Sequence, residues 1–382
     1  MNYRNMPQMR KKDVQMNLEK INELRQWMAQ KEIDLAYISD PGHIAYFAGY
    51  ESEPHERVLA LFLPLEQDPF LFTPALEVED AQNSSWAYDV RGYLDSEDPW
   101  VLIGQEIRTR YPQVKTIGIE KNALTVDRFD ALSQQMTSSV RFADLTPVIQ
   151  RLQLIKTTKE KEQLIAAGKW ADVAFEIGFR SIKEGVTEQA IIAEIEYQLK
   201  KQGVSQMSFD TLVLAGTNAA SPHGTPGSTT IQPNELVLFD LGVVWDGYCS
   251  DATRTVAYQK PTEFQEKIYQ ITLEAQLAAQ EAVRPGVTAA ELDQVARNVI
   301  ESYGYGEYFN HRLGHGIGTT VHEYPSLVAG NDLVIEEGMC FSLEPGIYIP
   351  DQVGVRIEDC VYVTSDGCVP FTTTPKELLV VE

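Results

Sequence analysis

The chain has 382 residues, more than the roughly 250–300 at which a single hydrophobic core stops growing, so two domains are expected. With 43% hydrophobic and 23% charged residues it can bury enough apolar surface to offset chain entropy, which excludes a disordered polymer. Fifty-five acidic residues against 32 basic ones give a formal charge of -23, a field that repels phosphate backbones and anionic headgroups and argues against nucleic acid and membrane partners.

Residues 1–16 are polar and basic, without the apolar stretch of a signal peptide, and are read as an extension. Helical spacing of apolar residues then predicts a helix over 17–31. Strand patterns follow at 35–38, 58–63 and 116–120, and the alternation indicates a small α/β domain. The polar stretch 156–161 opens a long helix running toward Lys183. Placing the boundary just before it gives domains at 17–153 and 154–382. No segment approaches the roughly 18 consecutive apolar residues of a membrane span. Cys249, Cys340, Cys360 and Cys368 form no CxxC pair and fall in strand-like stretches, as reduced core residues do. The expected location is the cytoplasm.

The second half repeats itself. Gly185-Val186-Thr187 recurs 101 residues later as Gly286-Val287-Thr288, and the helical pattern after each ends at Gly203 or Gly304. This implies a duplicated helix–helix–strand unit, hence a pseudo-twofold α+β domain that encloses its site between the copies. Thr288 and Glu291 are spaced as a capping box, which marks a helix start in the second copy independently.

Between the copies, two β-rich runs flank Asp246-Gly247, a strong hairpin signal. That turn sets Gly242 opposite Asp251, and the period of two puts Asp240, Gly242 and Asp251 on one face with the carboxylates diagonal to each other. The pair admits two readings: surface aspartates on a solvated hairpin, or anions held together by a cation. Further on, His315 lies in Gly314-His315-Gly316-Ile317-Gly318, Glu344 interrupts an apolar run, and Glu358 ends Gly354-Val355-Arg356-Ile357-Glu358. Carboxylates in apolar strands need partners. An odd-length hairpin around Asp351 sets Glu344 directly opposite Glu358.

In this order and in these local strings, Asp240, Asp251, His315, Glu344 and Glu358 resemble the five metal ligands of the pita-bread metallopeptidases, the family of prolidase, aminopeptidase P and methionine aminopeptidase. The first domain is similar to the creatinase-type domain of prolidases and aminopeptidase P. Stretches such as Gly92-Tyr93-Leu94-Asp95-Ser96-Glu97-Asp98-Pro99-Trp100 resemble the short bacterial proline dipeptidases. The resemblance implies two divalent ions, Mn²⁺ first and Co²⁺ or Zn²⁺ as alternatives. Asp240 would chelate one, His315 and Glu344 the other, and Asp251 and Glu358 would bridge both. It implies hydrolysis of Xaa-Pro dipeptides by a shared water or hydroxide, with Glu344 as proton shuttle. Release of the first residue from longer Xaa-Pro peptides, as by aminopeptidase P, is the second reading.

His223 and His322 match the family's outer histidines, which bind substrate and stabilise oxyanion charge. Arg356, two residues before Glu358, is expected on the same strand face, orienting that ligand or neutralising surplus charge. Tyr248 begins the strand carrying Asp251. Arg312 is hypothesised to bind the substrate carboxylate, and the loop 54–57, with His55 and Arg57, to reach a partner's active site in a homodimer. His43 and His311 are taken as structural. After His223, Gly224-Thr225-Pro226-Gly227-Ser228 departs from the family pattern.

Overall fold

The computed structural model describes residues 16–382, so the extension at 1–15 lies outside the described residues. The chain divides into two compact units, one ending at Leu152 and the other running from Gln153 to Glu382.

The first unit is built on a six-stranded sheet in the order Asp89–Tyr93, Phe70–Pro74, Ala60–Pro64, Leu35–Ile38, Thr116–Ile119 and Arg141–Asp144. Leu35–Ile38 pairs antiparallel with Ala60–Pro64 and parallel with Thr116–Ile119, which makes the sheet mixed. Every residue of Leu35–Ile38 is buried, and the strand's side chains divide between two apolar layers. Ala36 and Ile38 pack with Leu24 and Phe47 in one layer, Leu35 and Tyr37 with Ile103 and Leu132 in the other. Period-two alternation with both faces covered is what a helix-flanked sheet requires. The helix expected at 17–31 is Leu18–Gln30, capped by the Asn17 side chain on Lys20 N. His43 packs inside this unit, its Nδ1 2.5 Å from Oε1 of the fully buried Glu120.

The duplication in the second unit is visible in its hydrogen bonds. Helices Thr158–Ser181 and Glu188–Lys201 form one pair, Glu263–Ala282 and Ala289–Ser302 the other. Gly185 N donates to Ile231 O and Gly286 N to Ile335 O, both at 2.9 Å. Isolated bridges join Thr187 to Thr230 and Thr288 to Val334. Gly185, Gly203, Gly286 and Gly304 all have φ between 78° and 97°, where a side chain would be strained. The expected capping box of Thr288 and Glu291 is present, and others form at Thr157 with Glu160 and Thr262 with Gln265. A nine-stranded sheet lies in this unit; its main path runs Glu323–Leu327, Gly314–Gly316, Cys340–Leu343, Glu358–Val363, Ala252–Tyr258, Glu235–Leu241 and Leu212–Ala215. All four cysteines are free.

A buried ionic cluster fastens the segment 372–376 against this sheet. Arg254, 2% exposed, donates to Asp359 Oδ1 at 2.7 Å and to the carbonyl of Thr374, while Lys376 and Thr372 also donate to Asp359. Asp172 receives Thr373 and Thr374, backbone and hydroxyl alike. No described helix is long and apolar enough to cross a membrane.

Candidate metal centre

Two hairpins with odd and even turns build the site. Asp246 (φ 48°) and Gly247 (φ 80°) are both left-handed, the conformation of a tight two-residue hairpin. Val244 pairs with Cys249 and Thr253 with Asp240, so the register carried through puts Gly242 opposite Asp251, as the sequence suggested. Gly242 is obligatory there, because a Cβ would stand 1.8 Å from the Ser250 carbonyl oxygen. Around Asp351 (φ 57°), Ile349 pairs with Val353 and Gly346 with Arg356. Beyond the break at Pro345 and Ile357, Leu343 pairs with Asp359, which keeps Glu344 opposite Glu358. Glu358 is also the partner of Thr253, so three strands bring Asp240, Thr253 and Glu358 side by side.

His315 enters from Gly314–Gly316, with Ser342 fixing it. Ser342 Oγ accepts from His315 N at 2.9 Å and donates to Glu344 Oε1 at 3.1 Å. A Cβ on Gly314 would sit 1.9 Å from the Ser342 carbonyl oxygen, so the strands approach too closely for any other residue. Gly314→Ala is expected to cost about 1–3 kcal/mol of stability through overpacking and to lower hydrolysis by displacing His315. Thermal melting read beside the rate tests this; unchanged values in both would refute it.

Ligand atoms of Asp251, His315 and Glu358 lie within 4.8 Å of one another, all buried. His315 Nε2 is 3.5 Å from Asp251 Oδ2 and 3.3 Å from Glu344 Oε1. Asp240 joins through Arg356, whose Nη2 donates to Asp240 Oδ2 at 2.6 Å. Burial, then the neighbouring carboxylates, holds Asp251 and Glu358 well above the usual carboxylate range. Burial also pushes Glu344 up to about 7. Burial first, and then His322, drives His315 down to about 3, leaving the ring neutral and able to ligate.

Two buried oxygens of this constellation, Asp240 Oδ1 and Glu358 Oε1, have no hydrogen-bond partner among the described residues. Buried acceptors are ordinarily satisfied. Orphaned carboxylate oxygens amid mutually repelling anions fit a site for hard divalent cations, and the four carboxylates with one imidazole suit Mn²⁺, Co²⁺ or Zn²⁺.

Of the other sequence candidates, His322 and Arg356 adjoin this core. The His322 ring meets the His315 ring edge to face at 4.1 Å, and burial lowers its pKa. His223 is exposed, and the carbonyl of the preceding Pro222 lies 3.5 Å from Arg356 Nη1. Arg356 does not contact Glu358 directly. Its Nε donates to Thr253 Oγ1, which donates to Glu358 Oε2, so the arginine binds Asp240 and reaches the glutamate through a threonine. Arg312 donates to Ser326 Oγ at 2.6 Å. Tyr248 turns aside to Glu160 Oε1 at 3.1 Å. Arg57 pairs with Asp95 at 2.9 Å, and the adjacent His55 is exposed with φ 56°.

Several participants escaped the sequence reading. His311 Nε2 lies 3.0 Å from Tyr348 Oη, which accepts from Arg356 at 2.8 Å, so the histidine taken as structural belongs to the same network. Thr253 could have been found from the register, since it lies opposite Asp240. Lys156, read as part of a polar stretch, is instead buried. Its Nζ donates to Glu323 Oε2 at 2.7 Å, and Glu323 Oε1 accepts from Thr319 and Thr320, which ties down the loop bearing His322.

Residues 162–365 match the model of metallopeptidase family M24, and residues 20–155 that of the creatinase/prolidase N-terminal domain. The chain is 55% identical to a Xaa-Pro dipeptidase of Lactobacillus helveticus over 96% of its length and 99% of that protein's. Among solved structures it is similar to a Xaa-Pro dipeptidase from Bacillus anthracis, with 34% identity and a TM-score of 0.87 over 95% of this chain and 99% of that one. It is also similar to an X-Pro aminopeptidase from Thermotoga maritima, with 30% identity and a TM-score of 0.83 over 92% and 98% of the two chains. The two-part fold, the duplicated second unit and these matches together make the chain a member of metallopeptidase family M24, with a creatinase/prolidase-type domain ahead of its pita-bread domain.

Proposed function

We propose that the chain is a cytoplasmic, homodimeric Xaa-Pro dipeptidase working with two divalent ions, Mn²⁺ by preference, and that the domain boundary lies at 153/154. The observation that carries the metal reading is the pair of orphaned buried oxygens, Asp240 Oδ1 and Glu358 Oε1, in a pocket of like charges. The dipeptidase reading rests on the 55% identity to a protein of that name.

In this proposal Asp240, Asp251, His315, Glu344 and Glu358 hold the ions. When bound, two such ions polarise the scissile carbonyl and make water nucleophilic near neutral pH. Glu344 takes a proton from the attacking water and returns it to the prolyl nitrogen as the amide bond breaks. His322 and His223 donate hydrogen bonds to the substrate carbonyl oxygen as charge develops on it, and Arg312 receives the substrate carboxylate. Arg356 orients Asp240 by donating to its Oδ2, and through Thr253 fixes the carboxylate of Glu358.

The likeness to an X-Pro aminopeptidase favours a second reading, in which longer Xaa-Pro peptides are cut. Supplying the Mn²⁺-loaded protein with a Xaa-Pro dipeptide and a Xaa-Pro-Yaa tripeptide separates the two. The dipeptide is expected to be cleaved; hydrolysis of the tripeptide alone would establish the aminopeptidase instead.

A further inference from the structure

Glu188 is a completely buried carboxylate that forms no ion pair among the described residues. It is the first residue of Glu188–Lys201, where the helix N-terminus favours an anion, but the helix cap is made by Thr187 on Ala190 N. Its oxygens are turned instead toward a separate segment. Oε1 accepts from Ala215 N at 2.7 Å and Asn218 Nδ2 at 2.9 Å; Oε2 accepts from Gly227 N at 2.8 Å and Asn218 Nδ2 at 3.1 Å. One carboxylate therefore closes both ends of the loop 216–226 and grips Asn218 in its first turn.

That loop contains His223 and the glycine- and proline-rich run after it. Its other side leans on the metal pocket. A Cβ on Gly354 would lie 1.7 Å from Ala219 O, and Arg356 Nη1 approaches Pro222 O at 3.5 Å. Within the loop, Gly224 N donates to Ser221 O in a turn around His223. His223 itself is exposed, so its position is set by the backbone that bears it.

We infer that Glu188 is a positioning residue: its carboxylate clasps the 215–227 loop and so determines where His223 stands against the pocket of Asp240 and Arg356. This rests on the role given to His223 above. The shared carboxylate explains how a segment so rich in glycine and proline holds one conformation, since charged acceptors bind backbone N–H groups more strongly than neutral ones do. Glu188→Gln keeps the shape but sets an amide N–H against a backbone N–H at one end of the loop.

The test is a double-mutant cycle with His223→Ala, run on the Mn²⁺-loaded protein beside amide hydrogen exchange of residues 216–227. In the parent background, Glu188→Gln is expected to lower kcat/KM about tenfold or more at unchanged metal stoichiometry. In the His223→Ala background the further loss should be less than about twofold, because the residue to be positioned is gone. Exchange should accelerate within 216–227 and not in the strands of the metal pocket. Equal losses in both backgrounds, or unchanged exchange, would overturn the inference. Asn218→Ala removes one donor from the same clasp and runs through the same cycle if Glu188→Gln fails to fold. Absence of metal-dependent hydrolysis in the parent protein would sink the functional reading instead; the exchange measurement would still decide the clasp.

Discussion

Glu358→Gln should remove hydrolytic activity almost entirely while leaving the metal-free protein at least as stable as the parent. The substitution keeps side-chain volume and the acceptor that Thr253 Oγ1 uses, so packing and hydrogen bonding survive. What disappears is one of several mutually repelling charges in a pocket where Glu358 is only 2% exposed. On the proposed reading bound cations would relieve that repulsion in the parent, and a neutral amide would ligate them less well than a carboxylate. Metal content by mass spectrometry should fall below that of the parent, and the Tm of the chelated variant should equal or exceed that of the chelated parent. A variant retaining full metal and full rate would remove Glu358 from the proposed ligand set.

The metal-free protein should lose stability as pH rises from about 6.5 to 8.5, opposite to the trend of its metal-loaded form. Glu344 titrates at about 7 in the folded chain, against about 4.3 when unfolded. A raised carboxyl pKa stabilises fully below the unfolded value, and that contribution is lost as pH climbs through the folded value. Between pH 6.5 and 8.5 Glu344 alone accounts for a loss of about 1 kcal/mol, the larger part of its contribution being lost between the unfolded value and this window, and Asp251 and Glu358 act in the same direction. The imidazoles set the lower limit of the window. His311, held at about 4 by burial, and His315, at about 3, are depressed, so their contribution is present above about 6.5 and lost as pH falls through the folded values. Below about 6.5 they oppose the carboxylates; above it the carboxylates are joined near pH 8.5 by Cys249, Cys340, Cys360 and Cys368, whose thiols burial raises, so that both groups lower stability as pH climbs. Melting curves at three pH values, with chelator and with Mn²⁺, give the sign directly. A chelated protein whose Tm rises across this window would show that the pocket is not a cluster of frustrated anions.

Much of this architecture is legible from local chemistry. The Asp246-Gly247 turn fixes its register because only left-handed residues make so tight a hairpin, and the matched Gly-Val-Thr strings mark two equivalent helix entries. The odd hairpin at Asp351 likewise keeps Glu344 opposite Glu358 through an interruption in the strands. Contacts between distant segments leave no such trace. Lys156 sits in a polar stretch that reads as solvated, and only the fold reveals Glu323, 167 residues away, as the charge that permits its burial. Arg356 shares a strand face with Glu358 on paper, yet the strand breaks at Ile357 and the guanidinium goes to Asp240. Glu188 is one acid among many until the loop that it holds is seen.

The separation of these partners also bears on when the pocket comes into being. Asp240 and Arg356 are 116 residues apart, Thr253 and Glu358 are 105, and Arg254 meets Thr374 across 120. Closing spans of that length costs entropy before any contact compensates it, so such pairings belong to the late stages of a folding pathway. An unfolded or half-folded chain offers a cation only scattered single carboxylates. On the proposed reading, an ion would therefore be taken up after the strands have met, and the finished protein's surroundings, rather than whichever metal the nascent chain first encounters, would decide its identity.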